Sequence, residues 1–248
     1  MTYSIAARDK ATGHLGIAVA SRFFAAGSVV PSIEFGAGAV CSQAFANPLY
    51  GAQALALLAK GEHPNDVVDK LTSHDKGRSQ RQLHMIDDQG RNAAFTGESC
   101  IDWAGHEIAD NVSVAGNMLA GPAVVANTLR AYREASELPL TERLLLAMQA
   151  GEDAGGDKRG KQSAGLLIFR DQDYPWLDLR VDDHADPLEE LRRLYAVAQE
   201  RYLIMIDMMP TRENPHGLID RREIDEKLQS LDRERELNGD QSHSFATS

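Results

Sequence analysis

The order in which hydrophobic periodicity changes along the chain most constrains its fold. Residues 3–8 (YSIAAR) and 15–20 (LGIAVA) are short β-compatible runs joined by DKATGH, where Thr12-Gly13 supplies the positive φ that a hairpin needs. Two further β-rich runs, around 28–34 (SVVPSIE) and 38–44 (GAVCSQA), are separated by Phe35-Gly36, and Pro31 suits an edge or a bulge. After Asn47-Pro48 the period becomes helical. Leu55, Leu58 and Ala59 share one stripe, Gly61 ends that helix, and Pro64 starts a second over NDVVDKLTSHD. RQLHMID and RNAAFTG then flank DQG as a hairpin, and NVSVAGN offers a further short strand. A second helix pair follows in GPAVVANTLRAYREAS, with a stripe of Val124, Val125, Leu129 and Tyr132, and in LTERLLLAMQAGED, where Thr141 stands as a cap. QSAGLLIFR and WLDLRVDD read as two strands, and DPLEELRRLYAVAQERYL as an amphipathic helix with Pro187 in its first turn.

Helices that arrive in pairs between groups of antiparallel strands predict an α+β fold, with two facing sheets covered outside by the helix pairs. A doubly wound α/β fold is disfavoured, because the first turn is a hairpin and no GxGxxG or GxxxxGK[ST] follows it. The layered domain is expected over residues 1–204. Residues 205–248, highly charged and with few apolar anchors, are expected to form a partly helical or disordered appendage.

Composition narrows the function. The 248 residues are 43% hydrophobic and 25% charged, enough to bury one substantial core. Twenty-six Lys and Arg stand against 37 Asp and Glu, a formal charge of −11 that leaves no electrostatic footprint for nucleic acid or an anionic membrane. The expected partners are a small-molecule substrate and other copies of the chain in a homo-oligomer, with no cofactor. No secretory signal and no long uncharged apolar run is present, so a cytoplasmic location is expected. Cys41 and Cys100 have no zinc-type spacing and read as reduced, buried small hydrophobes.

MTYSIAARDKATGHLGIAVAS, SQAFANPLYG, AAFTGESCIDWAGH, VAGNMLAGPAV, AGGDKRGKQSAGLL and LRVDDHADPLEELRRL together resemble the DUF1028 family of uncharacterised bacterial proteins, over roughly residues 1–195. That family is similar in fold to the N-terminal nucleophile hydrolases, so the resemblance implies a four-layer αββα sandwich. It also implies a catalytic Thr, Ser or Cys at the first position of the mature chain, whose own α-amine acts as base. An α-amine titrates near 7.7–8.0 and suits that task at neutral pH, whereas a lysine would need large desolvation. Thr2 fits once Met1 is removed. The bland alternative is that Thr2 is simply a β-former in a first strand.

Acyl chemistry also needs donors where negative charge develops, worth roughly 3–4 kcal/mol each. The resemblance positions SQAFANPLYG near the nucleophile, so Asn47 and the amides of Ala44 to Asn47 are the first candidates. Asn117, expected at the start of the third helix, is the second. The alternative for both asparagines is turn or cap chemistry. Proteasome-like members carry an Asp after the second strand and a Lys at the third; this chain reads SRFF and SVVPS there. Arg22 is the nearby cation, able to lower a neighbour's pKa or hold a carboxylate.

The Gly-rich basic segment AGGDKRGKQSA offers Arg159, Gln162 and Ser163 as contacts for a substrate carboxylate; the alternative is a solvated loop. Asp182 and Asp183 in VDDHAD are weak metal candidates, outweighed by cap chemistry at Asp186-Pro187. Cys100 with His106 is a less favoured nucleophile pair, and His84 reads as a satisfied core histidine. The leading expectation is an amidohydrolase cleaving a non-peptide C–N bond of a small, anionic metabolite. Its rival is a non-catalytic ligand-binding or oligomeric scaffold on the same fold.

Overall fold

The first strand, β1 (Thr2–Arg8), shows the principle on which the layers are built. Its side chains alternate between two buried faces. The Tyr3 hydroxyl donates to Met148 O at 3.1 Å and Glu152 Oε2 at 2.9 Å, both on a helix, whereas Ser4 Oγ donates to Gln43 Oε1 at 2.6 Å, on the opposing sheet. A strand covered on both sides has no polar face to give to water, so YSIAA lacks a hydrophobic-polar alternation. The turn to β2 (Leu15–Ser21) is closed by Asp9, whose Oδ1 accepts from the amides of Ala11 and Thr12, and by Gly13 at φ +77°.

The computed structural model describes residues 2–246 and forms two compact units that divide between Leu188 and Glu189. The first holds both sheets. One has six strands in the order β10-β9-β2-β1-β8-β7, where β7 is Trp103–Ala109, β8 Val112–Leu119, β9 Ser163–Phe169 and β10 Leu177–Val181. The other has four, β3-β4-β5-β6, from Pro31–Glu34, Gly38–Ala44, Arg81–Asp87 and Asn92–Thr96. Neighbouring strands are antiparallel throughout.

The outer layers are the two helix pairs. The helices α2 (Leu49–Leu58) and α3 (Pro64–Ser73) cover the four-stranded sheet, burying Tyr50, Ala54, Leu55 and Val67 against Val40, Leu83 and Met85. The helices α4 (Pro122–Glu134) and α5 (Leu140–Asp153) cover the six-stranded sheet. At Gly16 the α5 side chains come so close that a Cβ would lie 2.6 Å from Leu144 Cδ1, so any larger residue there would push the leucine ends aside. With the sheets facing each other, the first unit is a four-layer αββα sandwich of two antiparallel sheets.

Two local departures have physical causes. The run 28–34 is not one strand: Ala26–Val29 closes as a helical turn, α1, and only Pro31–Glu34 pairs with β4. The strand β7 has no counterpart among the strands expected from the sequence. It is an edge strand with half of its residues exposed or nearly so, and it needs β8 beside it to be held extended.

The second unit comprises Glu189 onward. Most of α6 (Pro187–Val197) belongs to it and continues through a π-helical turn, Ala198–Tyr202, into α7 (Leu203–Ile206). The charged helix α8 (Arg221–Asn238) starts at Asp220, whose side chain accepts from the Arg222 amide, and stops at Gly239 with φ +72°. It buries no residue, as a solvated helix should. Among the described residues no helix is long and apolar enough to cross a membrane.

Candidate functional site

Thr2 heads β1 in the middle of the six-stranded sheet, between Ser21 at the end of β2 and Asn117 near the end of β8. The Thr2 and Ser21 hydroxyl oxygens are 3.1 Å apart, and Asn117 Nδ2 donates to Thr2 O at 3.3 Å. Met1, on whose removal the nucleophile idea depends, lies outside the described residues.

The Gly-rich segment is bound to this same end of the sheet. Leu119 and Asp157 form an isolated antiparallel bridge, Ala120 N donates to Gly156 O, and Gln162 N donates to Ser21 O. Asp157, nearly inaccessible, is the segment's anchor: it accepts from the Arg22 amide at 2.7 Å and the Arg159 amide at 2.9 Å. The Arg159 guanidinium lies 3.4 Å from Asp157 Oδ2 and stays partly open to solvent, and Arg22 Nη1 donates to Arg159 O. Ser163 Oγ donates to Phe23 O at 2.6 Å and accepts from Ala26 N, which fixes the chain after β2. Gln162 Nε2 donates to Asp183 Oδ1 at 3.1 Å. Thr2, Arg22, Asn117, Arg159, Gln162 and Ser163 are thus gathered at one end of one sheet.

Three expected placements change. Asn117 is not at a helix N-terminus: β8 continues through Leu119, and α4 starts only at Pro122. Nor does its side chain offer a donor to an oxyanion, because Nδ2 is committed to Thr2 O and to Gln82 Oε1 at 3.0 Å. Asn47 performs turn chemistry, its Oδ1 accepting from Leu49 N and its amide donating to Ser42 Oγ. The Phe45 amide is also taken, by Gln80 O. Cys100 and His106 have separate partners, Arg81 O and Thr96 Oγ1, and burial pushes the Cys100 thiol pKa up, so no thiolate pair forms. Among the described residues no cluster of three or more His, Cys, Asp or Glu side chains is arranged to hold a metal ion, Asp182 and Asp183 included.

Sequence reasoning missed a buried polar seam between the sheets that ends at Asn117. Ser4, Gln43, Gln82, His84, Ser113 and Asn117 are all essentially inaccessible. Gln82 is its hub: Nε2 donates to Gly116 O at 2.8 Å, Thr96 Oγ1 at 2.9 Å and Gly105 O at 3.1 Å, while Oε1 accepts from Gln43 and Asn117. Ser4 gives its hydrogen to Gln43, so His84 Nε2, 2.8 Å away, carries the ring proton, and Nδ1 accepts from Ser113 Oγ at 3.1 Å. Burial holds the His84 pKa down to about 3, so the ring is neutral.

Beside Asn117 a cavity of about 170 Å³ opens, walled by Ala44 at the end of β4, Phe45 after it, Gln80, the loop Ser99–Ile101, and Met118. Ala44 (φ +67°) and Met118 (φ +53°) line it, and Asp102 (φ +55°) adjoins it; these are three of the five non-glycine residues with positive φ among those described. Such strain, of order 1–3 kcal/mol per residue, gathers where a site is being shaped.

The α+β sandwich with a threonine at the head of its central strand defines the class of fold. The chain matches the model of the Family of unknown function (DUF1028) over residues 2–191 and belongs to that family. It is similar to the crystal structure of protein SPO2555 from Silicibacter pomeroyi, also of DUF1028, with TM-score 0.82 and 35% identity, covering 88% of this chain and 96% of that one. Anbu (ancestral beta-subunit) from Yersinia bercovieri aligns with TM-score 0.38 and 13% identity, over 82% of this chain and 96% of that one. No curated protein matches the chain.

Proposed function

We propose that the protein is an N-terminal-threonine amidohydrolase that cleaves a non-peptide C–N bond in a small, anionic metabolite. The observation that carries this reading is the Thr2 hydroxyl at the head of β1, 3.1 Å from Ser21 Oγ and flanked by Asn117. Removal of Met1 frees the Thr2 α-amine, which takes the hydroxyl proton as Oγ1 adds to the substrate carbonyl. The same proton then passes to the leaving nitrogen as the C–N bond breaks. Water, deprotonated by the amine, hydrolyses the acyl ester and restores Thr2.

Since Asn117 and the amides of Phe45 and Asn47 are already engaged, the donor assigned to the oxyanion is the Ala46 N–H, for which no acceptor is found among the described residues. Arg159, half-open and only loosely paired, orients the anionic end of the substrate.

The test is a panel of small amides and N-acyl amino acids, with released amine quantified and intact mass read in parallel. Chain lacking Met1 should turn over members of the panel, and Thr2→Ala should lower the rate by about 10³-fold or more. Full retention of Met1 in active protein, or unchanged turnover by Thr2→Ala, overturns the reading.

A further inference from the structure

The orientation of Asn117 can be deduced from backbone carbonyls. Gly105 O and Gly116 O only accept, so the Gln82 terminus that faces them is its NH₂ group, and Gln82 Oε1 is left pointing at Asn117. The Asn117 atom facing Gln82 Oε1 and Thr2 O must therefore be Nδ2, since the reverse orientation would set three acceptors against one another. Gln43 supports the same order, because its Nε2 donates to Ala115 O and to Gln82 Oε1. Asn117 is nine-tenths buried and more, and no donor to its Oδ1 is found among the described residues. Oδ1 is thus the polar atom that Asn117 contributes to the cavity it lines.

The rest of that cavity carries no charged side chain. Phe45, Cys100, Ile101 and Met118 give it apolar walls, and its volume of about 170 Å³ suits a group of ring size. An amide acceptor on a wall without a charged lining side chain, where the adjoining Asp102 is already paired with Lys158, selects a neutral N–H over a cation. We propose that this cavity holds the amine half of the substrate, a compact, uncharged, apolar group whose N–H donates to Asn117 Oδ1. The assignment rests on the hydrolase reading above and adds which side of the scissile bond enters. It also gives the buried hub a purpose: Gln82 is a positioning residue that keeps Asn117 turned with its acceptor outward.

The test uses binding to the Thr2→Ala protein, which cannot turn over, with acetanilide as probe. N-methylacetanilide carries N–CH₃ in place of the N–H, and acetamide lacks the ring. Titration calorimetry or ligand-observed NMR should show acetanilide binding at least tenfold more tightly than either. Ser99→Trp, at an exposed position on the cavity wall, should weaken acetanilide at least tenfold, and Asn117→Leu should abolish the preference for N–H over N-methyl. Equal affinity for acetanilide and its N-methyl form, indifference to Ser99→Trp, or no binding at all overturns the proposal. Binding that behaves as expected while chain lacking Met1 turns over no amide in the panel overturns the hydrolase reading alone.

Discussion

The layer between the two sheets is built from two unlike halves. Towards β2, Ala6, Ile17 and Val19 meet Ala39, Cys41 and Ile86 in an ordinary apolar core. Beside it, towards β8 and equally inaccessible, Ser4, Gln43, Gln82, His84, Ser113 and Asn117 form a connected polar seam. The apolar half needs only volume and shape. The polar half is stable only while each donor and acceptor has its partner, and in return it fixes directions, which an apolar core cannot do. It is the polar half that ends at Thr2 and the cavity, where direction matters to chemistry.

The largest expected effect breaks the seam at its hub. Gln82→Leu keeps the volume but strips partners from Gly105 O, Gly116 O, Gln43 Nε2 and Asn117 Nδ2. With about 1–3 kcal/mol for each buried group left unpaired, and some of these groups retaining a second partner, a loss of roughly 5 kcal/mol is expected in urea unfolding. A loss below about 1 kcal/mol would mean that the seam is not structurally coupled. In the apolar half, Ile17→Ala leaves a cavity but orphans no polar atom, and should cost roughly 3 kcal/mol. It should leave the acetanilide preference for N–H unchanged, where Gln82→Leu removes it. If both variants shift binding equally, the division between the halves is wrong.

The two halves were also unequally legible in the sequence. Helix pairs announced themselves by stripes such as Val124, Val125, Leu129 and Tyr132, and the layered α+β fold followed from their order. The Thr at the second position and the Gly-rich segment stood out in the sequence as separate candidates, and their nearness at one end of the six-stranded sheet comes only from the structure. The seam did not show, because Ser4 or Gln82 in a strand looks like an outward residue, and only a second sheet makes its face an interior one. Asn117 was misplaced for a related reason: VAGNML reads as a strand running into a helix, and what extends the strand to Leu119 is pairing with β1 and β7, not local preference.

The smallest expected effect separates the halves by pH, because the seam holds the fully buried His84. His84 titrates at about 3 in the folded protein, since burial penalises the charged ring and the neighbouring His106 adds to this, but near 6.5 when unfolded. Between those values the unfolded chain binds a proton that the folded chain does not. Its contribution to stability is therefore complete above about pH 6.5 and is lost as pH falls towards 3, with a slope of about 1.4 kcal/mol per pH unit in the middle of the window. His14 and His106, whose pKa values are also lowered by burial, act in the same direction, and so does Asp75, held down to about 2 chiefly by Arg81, at the acid end. His84→Gln can donate to Ser4 and accept from Ser113 without titrating, so urea unfolding near pH 5 should show a slope smaller by one proton. An unchanged slope would place the linked proton on another group and leave the seam electrostatically silent, while an equal reduction in Ile17→Ala would show that burial of the whole layer, not its polar half, sets the titration.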